Sequence, residues 1–189
     1  MTLERFLHLE PAPEALPLDA WQPACCGEIA IVIERDGRWW HEGRPVENAR
    51  VLRMLTRLLR RESDGHYYLV TPVEKWRIRV VSHPLVIVDA EWSSDDGGEA
   101  VCTLVTTTGE RVTLDAKRRL LIDDQGLPFV PVRNGLSAGL ARSLYYHLVE
   151  RAGIVEGDNG QCHAGFESGG VWQSLGHFDG DETPSVPCS

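Results

Sequence analysis

The chain has 189 residues, of which 42% are apolar and 25% charged, a globular balance that closes one domain or two small ones around a core. Its net charge of −9 argues against general nucleic-acid binding, which draws its affinity from neutralising phosphates. No apolar run reaches the ~18 residues of a membrane span, and five cysteines, odd in number and without a C-x-x-C pair, favour neither a disulfide framework nor a zinc site.

The N-terminus has no basic segment followed by an apolar one, so a cytoplasmic location is expected. Residues 1–24 carry Pro11, Pro13, Pro17 and Pro23 and are expected to form an arm with at most a short helix. From Glu28 to Glu34 apolar residues alternate (Ile29, Ile31, Ile33), which predicts a strand. Asp36-Gly37 is a hairpin turn signal, and Arg38–His41 the return strand. Val46–Arg61 has helical periodicity, with Val51, Leu52, Leu55, Leu58 and Leu59 on one face. Arg50, Arg53, Arg57 and Arg60 then fall on the opposite, solvated face.

Further on, His66–Val70 and Trp76–Val81 read as strands around Thr71–Lys75, and Leu85–Trp92 as another. Two hairpins follow, Val101–Thr107 with Arg111–Leu114, then Leu120–Asp123 with Pro128–Arg133. Leu136, Leu140, Leu144 and Leu148 predict a helix over 136–151, with Asn134 placed to cap it. Beyond Gly153 the chain is rich in Gly and Ser. Residues 156–189 carry six acids and no Lys or Arg, and are expected to be a mobile acidic tail docked only around 170–178.

A shift of 89 residues superposes Ile33 on Ile122, Gly37 on Gly126, Arg44 on Arg133, Ala49 on Ala138, and Arg53, Leu55 and Leu59 on Arg142, Leu144 and Leu148. The order strand, Gly turn, strand, Arg, helix is the same in both copies. An α+β fold is expected, of two similar subdomains, each a small antiparallel sheet packed by one helix. After the 1–24 arm the first subdomain is 25–98 and the second 99–155, followed by the 156–189 tail.

Several segments resemble the bacterial family catalogued as domain of unknown function 1285. They are Cys26-Gly27-Glu28-Ile29 leading to Arg35-Asp36-Gly37-Arg38-Trp39, Tyr68–Lys75 with Arg77-Ile78-Arg79, Arg142–Tyr146, and Gly170-Val171-Trp172. The stretch Val70-Thr71-Pro72-Val73-Glu74-Lys75 is the most specific of them. The chain departs from the pattern after Ile29, where Ala30-Ile31 stands in place of an acidic residue and Met. The resemblance implies two subdomains with repeated motifs, a suggested part in bacterial signal transduction and no established activity.

No phosphate loop, dinucleotide fingerprint, nucleophile elbow or H-E-x-x-H is present. Cys162-His163 with His177 fits no standard metal spacing, and Cys26 is expected to be a buried structural thiol. The strongest ligand-binding candidate is Thr71–Arg79. In an extended chain Lys75, Arg77 and Arg79 share one face, a cationic row for a small anionic ligand or an acidic peptide, with Thr71 and Glu74 beside it. The competing reading is a solvated strand face paired with carboxylates. Arg44 and Arg133 are further candidates, each read as standing just before a helix start, where an Arg either clamps an anion or forms an internal ion pair.

These signals lead to a binding or scaffold module with no cofactor or metal, its site near Glu74, Lys75, Arg77 and Arg133 at the seam of the two copies. The alternatives are an enzyme with an acid/base pair at Glu74, and a protein that only oligomerises. The expected partner is a protein segment or a small anion, with no nucleic acid or membrane.

Overall fold

A computed structural model describes residues 16–95, 97–156 and 161–179. Its strands in chain order are β1 (Cys25–Ile33), β2 (Trp39–His41), β3 (Arg44–Pro45), β4 (Leu59–Arg61), β5 (Tyr67–Val70) and β6 (Lys75–Val80). They continue with β7 (Leu85–Ser94), β8 (Ala100–Thr106), β9 (Arg111–Thr113), β10 (Leu121–Ile122), β11 (Pro128–Pro131), β12 (Ser137–Leu140), β13 (Gly153–Glu156), β14 (Gln161–Ser168) and β15 (Val171–Asp179). The helices are α1 (Ala49–Leu58) and α2 (Arg142–Glu150). The result is an α+β protein of two units with antiparallel-rich sheets. The first runs to Val86 and includes Val132–Ser137; the second is Ile87–Pro131 with the chain from Ala138. The 98/99 boundary expected from the sequence lies at the turn joining β7 to β8.

In the first unit the strand order is β3-β2-β1-β6-β5-β4. Two meanders, β1-β2-β3 and β4-β5-β6, meet at the β1–β6 pair, which is parallel because α1 carries the chain across between them. Ile29, Ile31 and Ile33 of β1, with Leu69 and Ile78, form a buried core with Val51, Leu55 and Leu58 of α1. Full burial of each such side chain contributes roughly 1.5–3 kcal/mol. Asn48 caps α1, its Oδ1 accepting from the amides of Arg50 (2.9 Å) and Val51 (3.3 Å). Asn48→Ala is expected to lower stability by about 1 kcal/mol. Denaturant unfolding checks this, and an unchanged midpoint would show that the cap is dispensable.

The helix predicted through Arg61 stops at Leu58, because Leu59 turns extended (φ −77°, ψ 132°) and enters the sheet. Arg60 therefore leaves the solvated stripe and is only 6% exposed. Cys26 is also corrected. It is exposed, as the extra residue of a bulge where Cys25 pairs Lys75 and Gly27 pairs Trp76, and among the described residues Cys102 is the buried thiol.

The second unit holds a sheet in the order β10-β11-β12-β7-β8-β9 and a three-stranded sheet β13-β14-β15. Two sequence expectations fail here. The helix expected over 136–151 covers only Arg142–Glu150, with Ser137–Leu140 a strand and Asn134 a left-handed turn residue (φ 54°) rather than a cap. The expected mobile tail contains the long β14–β15 hairpin, held to the rest of its unit by buried polar side chains. Ser168 Oγ accepts from Cys102 N (2.8 Å) and donates to Leu114 O (2.7 Å), and Gln173 Oε1 accepts from Leu120 N (3.0 Å). The arm before residue 16 and the tail beyond Asp179 lie outside the described residues. No helix among the described residues is long and apolar enough to cross a membrane.

The 89-residue repeat holds in its hairpin and not in its helix. Glu34–Arg38 and Asp123–Leu127 share one turn, in which the first amide donates to the fifth carbonyl and the fourth amide, a glycine's, to the first carbonyl. The same turn closes 62–66, 95–99 and 106–110 as well, each with a positive-φ glycine fourth, so this part of the match is a turn the chain uses repeatedly. At the same offset α1 falls on residues 138–147, the first four of which are extended or a helix cap.

Candidate functional site

The parallel seam between β1 and β6 is irregular. Glu28 pairs Arg77 and Val32 pairs Arg79, so Ile29, Ala30 and Ile31 stand opposite Ile78 alone. Two extra residues force β1 to bow away from β6. Because Ile29 and Ile31 remain anchored in the core, the bow opens on the sheet face turned away from α1. A groove of about 380 Å³ lies there, lined by Glu28, Ala30, Val32, Arg77, Arg79 and His66, among others. Ala30 occupies its centre on β1 with only a methyl group.

Alternation along β6 places Trp76, Ile78 and Val80 on or against the core and Lys75, Arg77 and Arg79 on the outer face, so the sequence-predicted cationic row exists. Its three members have different surroundings. Arg77 Nη1 lies 3.2 Å from Glu28 Oε1, with both side chains substantially exposed, and such pairs are worth little and open readily. Arg79 is exposed and makes no ion pair among the described residues.

Lys75 is sequestered. Its Nζ donates to both oxygens of Glu62 (3.0 and 2.9 Å) and lies 4.9 Å from the centre of the Tyr68 ring. Glu62 also accepts from Arg60 Nη2, while Arg60 Nη1 donates to the carbonyls of Leu18 (2.6 Å) and Trp21 (3.0 Å). Tyr68 Oη donates to Asp64 (2.7 Å), which raises the phenol pKa to about 12. Burial opposes ionisation of Glu62, but the hydrogen bonds from Lys75 and Arg60 outweigh it and hold the carboxyl below its ordinary value.

The other candidates are held by the fold. Thr71 closes the β5–β6 turn, its Oγ1 accepting from Glu74 N (3.0 Å) and donating to Glu74 O (3.2 Å). Glu74 accepts from the Trp76 indole (3.2 Å). Arg44 is exposed on the edge strand β3, and Arg133 donates to Thr56 O (3.0 Å) in the last turn of α1. Neither arginine sits at the N-terminus of an α-helix; Arg133 opens a single 3-10 turn (Arg133–Gly135) and serves the C-terminus of α1, where a cation is favoured. All seven candidates belong to the first unit, and of these Arg77 and Arg79 line the groove. Sequence reasoning did not place Glu28, Ala30, Val32 or His66 at a ligand site, although Ala30 marks the departure from the family pattern, Ala30-Ile31 standing where an acidic residue and Met are usual. The first three share the outer face by alternation, but only the bulge brings that face to a hollow.

The family model for the N-terminal domain of the domain of unknown function DUF1285 matches residues 16–82, and that for the C-terminal domain matches 84–175. The crystal structure of a DUF1285 family protein from Silicibacter pomeroyi DSS-3 is similar, with a TM-score of 0.79, 30% identity and coverage of 93% of this chain and 94% of that one. A second, from Shewanella baltica OS155, has a TM-score of 0.51 and 26% identity, over 65% of this chain and 91% of its own. No curated protein matches.

Proposed function

Because the chain belongs to the DUF1285 family, to which no function is assigned, we propose its role from the site: a non-enzymatic binding module of a bacterial cytoplasmic regulatory pathway, taking a small anionic ligand in the β1–β6 groove. The observation that carries this reading is the pair Arg77 and Arg79, presented by one strand at a hollow floored by Ala30. Guanidinium groups bind oxyanions through paired N–H donors, and among the described residues lining the groove the one carboxylate is Glu28, which pairs with Arg77. Lys75 and Arg133 belong to the support of the site, since each is engaged within the fold. An acid/base role at Glu74 has less behind it, because its carboxylate accepts from a neighbouring indole and the groove lining does not include it.

Affinity capture from the native cell, with mass spectrometry of both small molecules and proteins, tests the proposal. An acidic small molecule is expected to co-purify with the wild type and to be depleted roughly tenfold from Arg79→Ala, the loss of about one charge-assisted contact. Equal recovery from both proteins would argue against the groove.

A further inference from the structure

We infer that the ligand of this groove is an organic monocarboxylate, its carboxylate held by Arg77 and Arg79 and its apolar substituent laid over Ala30 and Val32. The inference rests on the reading of the groove as an anion site and narrows it by charge, shape and lining.

Charge comes first. Leaving His66 aside, the described residues of the lining bring two positive charges, Arg77 and Arg79, against the one negative charge of Glu28. A monoanion balances that excess. A phosphomonoester dianion overshoots it and sets its second charge near Glu28, and like charges brought together at a binding surface are penalised. A phosphate site is normally built with more donors than this, usually backbone amides at a glycine-rich turn or helix start. Here the ligand-facing groups come from the sides of two strands.

Shape and lining point the same way. About 380 Å³ is far more than a carboxylate group fills and is in the range of small-molecule sites. The part of the floor between the two arginines is a methyl group, at Ala30, followed by the isopropyl group of Val32 on the same face of β1. A fork for an oxyanion next to an uncharged floor suits a molecule with one acid group and an apolar body. The open form of the groove limits how much of that body is desolvated, so each added methylene is expected to contribute about twofold in affinity, less than full burial gives.

The test is a titration of the full chain, followed by amide NMR shifts at Ala30 and Val32, with acetate, butyrate, hexanoate, phenylacetate, inorganic phosphate and phenyl phosphate. Affinity is expected to rise from acetate to hexanoate, to be higher for phenylacetate than for phenyl phosphate, and to fall about tenfold for every carboxylate in Arg79→Ala. Phosphates binding more tightly than the matching carboxylates would overturn the monocarboxylate and leave the anion site standing. An affinity that does not rise with the apolar body would overturn it in the same way. No shift at Ala30 or Val32 with any anion at millimolar concentration would overturn both readings.

Discussion

Glu62→Ala is expected to cost about 3 kcal/mol of folding stability, from the stranding of two cations rather than the loss of contact area. The Arg60, Glu62 and Lys75 side chains are 7%, 21% and 15% exposed, and the one carboxylate serves both cations. Among the described residues, removing it leaves the Arg60 guanidinium beneath the Leu18–Trp21 segment with no ion-paired carboxylate, and the Lys75 ammonium over Tyr68 with only the through-space charge of Asp64. The residual exposure of Lys75 and Glu62 sets the figure at the low end for a broken buried pair. Denaturant unfolding of Glu62→Ala, Lys75→Met and the double variant measures it. In the Lys75→Met background the same Glu62→Ala change is expected to cost about 1 kcal/mol less, because one of the two cations is gone. Additive losses would show that Lys75 and Glu62 do not act as a pair.

The same carboxylate makes stability depend on pH. Its pKa is lowered in the folded protein, so the unfolded chain takes up the proton first. The stabilisation is fully present above the ordinary Glu value of 4.5 and is lost as pH falls through the lower folded value. In Glu62→Gln that part of the acid limb is expected to flatten. Asp64, held down by the hydrogen bonds from Tyr68 and the His66 amide, keeps its own contribution of the same sign.

The turn that joins β4 to β5 ties this network to the groove. Glu62 opens the turn with its backbone and anchors Lys75 with its side chain; Asp64 holds Tyr68; Gly65 and His66 line the groove. The side-chain ties of Glu62 to Lys75 and of Asp64 to Tyr68 are not legible from spacing alone. The alternating isoleucines of β1 and the Gly turns were, because a period of two and a left-handed fourth residue are local constraints. Helix ends were not. Leu58 and Leu59 suit a helix face and a strand equally, and so do Leu136 and Leu140, so tertiary packing decided where each helix began and stopped. The β14–β15 hairpin was hidden for a different reason. Its Gly and Ser read as a tail, yet Ser168 is a buried hydrogen-bonding post, and Gly165 sits where an added Cβ would collide with the backbone carbonyl of Gln173. At the site, alternation revealed that Arg77 and Arg79 share a face, while the groove itself depends on a register slip between two strands distant in sequence.

That slip makes Ala30 the most informative position in the groove, and Ala30→Glu is expected to lower affinity for acetate and its homologues on the order of a hundredfold. The side chain at 30 is exposed on the outer face, while its carbonyl is fixed by the amide of Glu42 (2.9 Å), so a longer side chain enters the groove without disturbing the strand. A glutamate there reaches the same guanidinium groups as the ligand and competes from within the chain, and it also sets a like charge against any incoming anion, a penalty of several kcal/mol at a close interface. Stability is expected to change by less than about 1 kcal/mol, since the new pairs are exposed and Glu28 on the same face partly opposes them. Ala30→Gln separates the two causes, because it fills the same volume without the charge. If Gln weakens binding as much as Glu, the groove excludes ligands by shape and the arginines are incidental. If Glu alone is severe, and Arg79→Ala adds little further loss in its background, the carboxylate at 30 has taken the place that a ligand's carboxylate fills in the native chain.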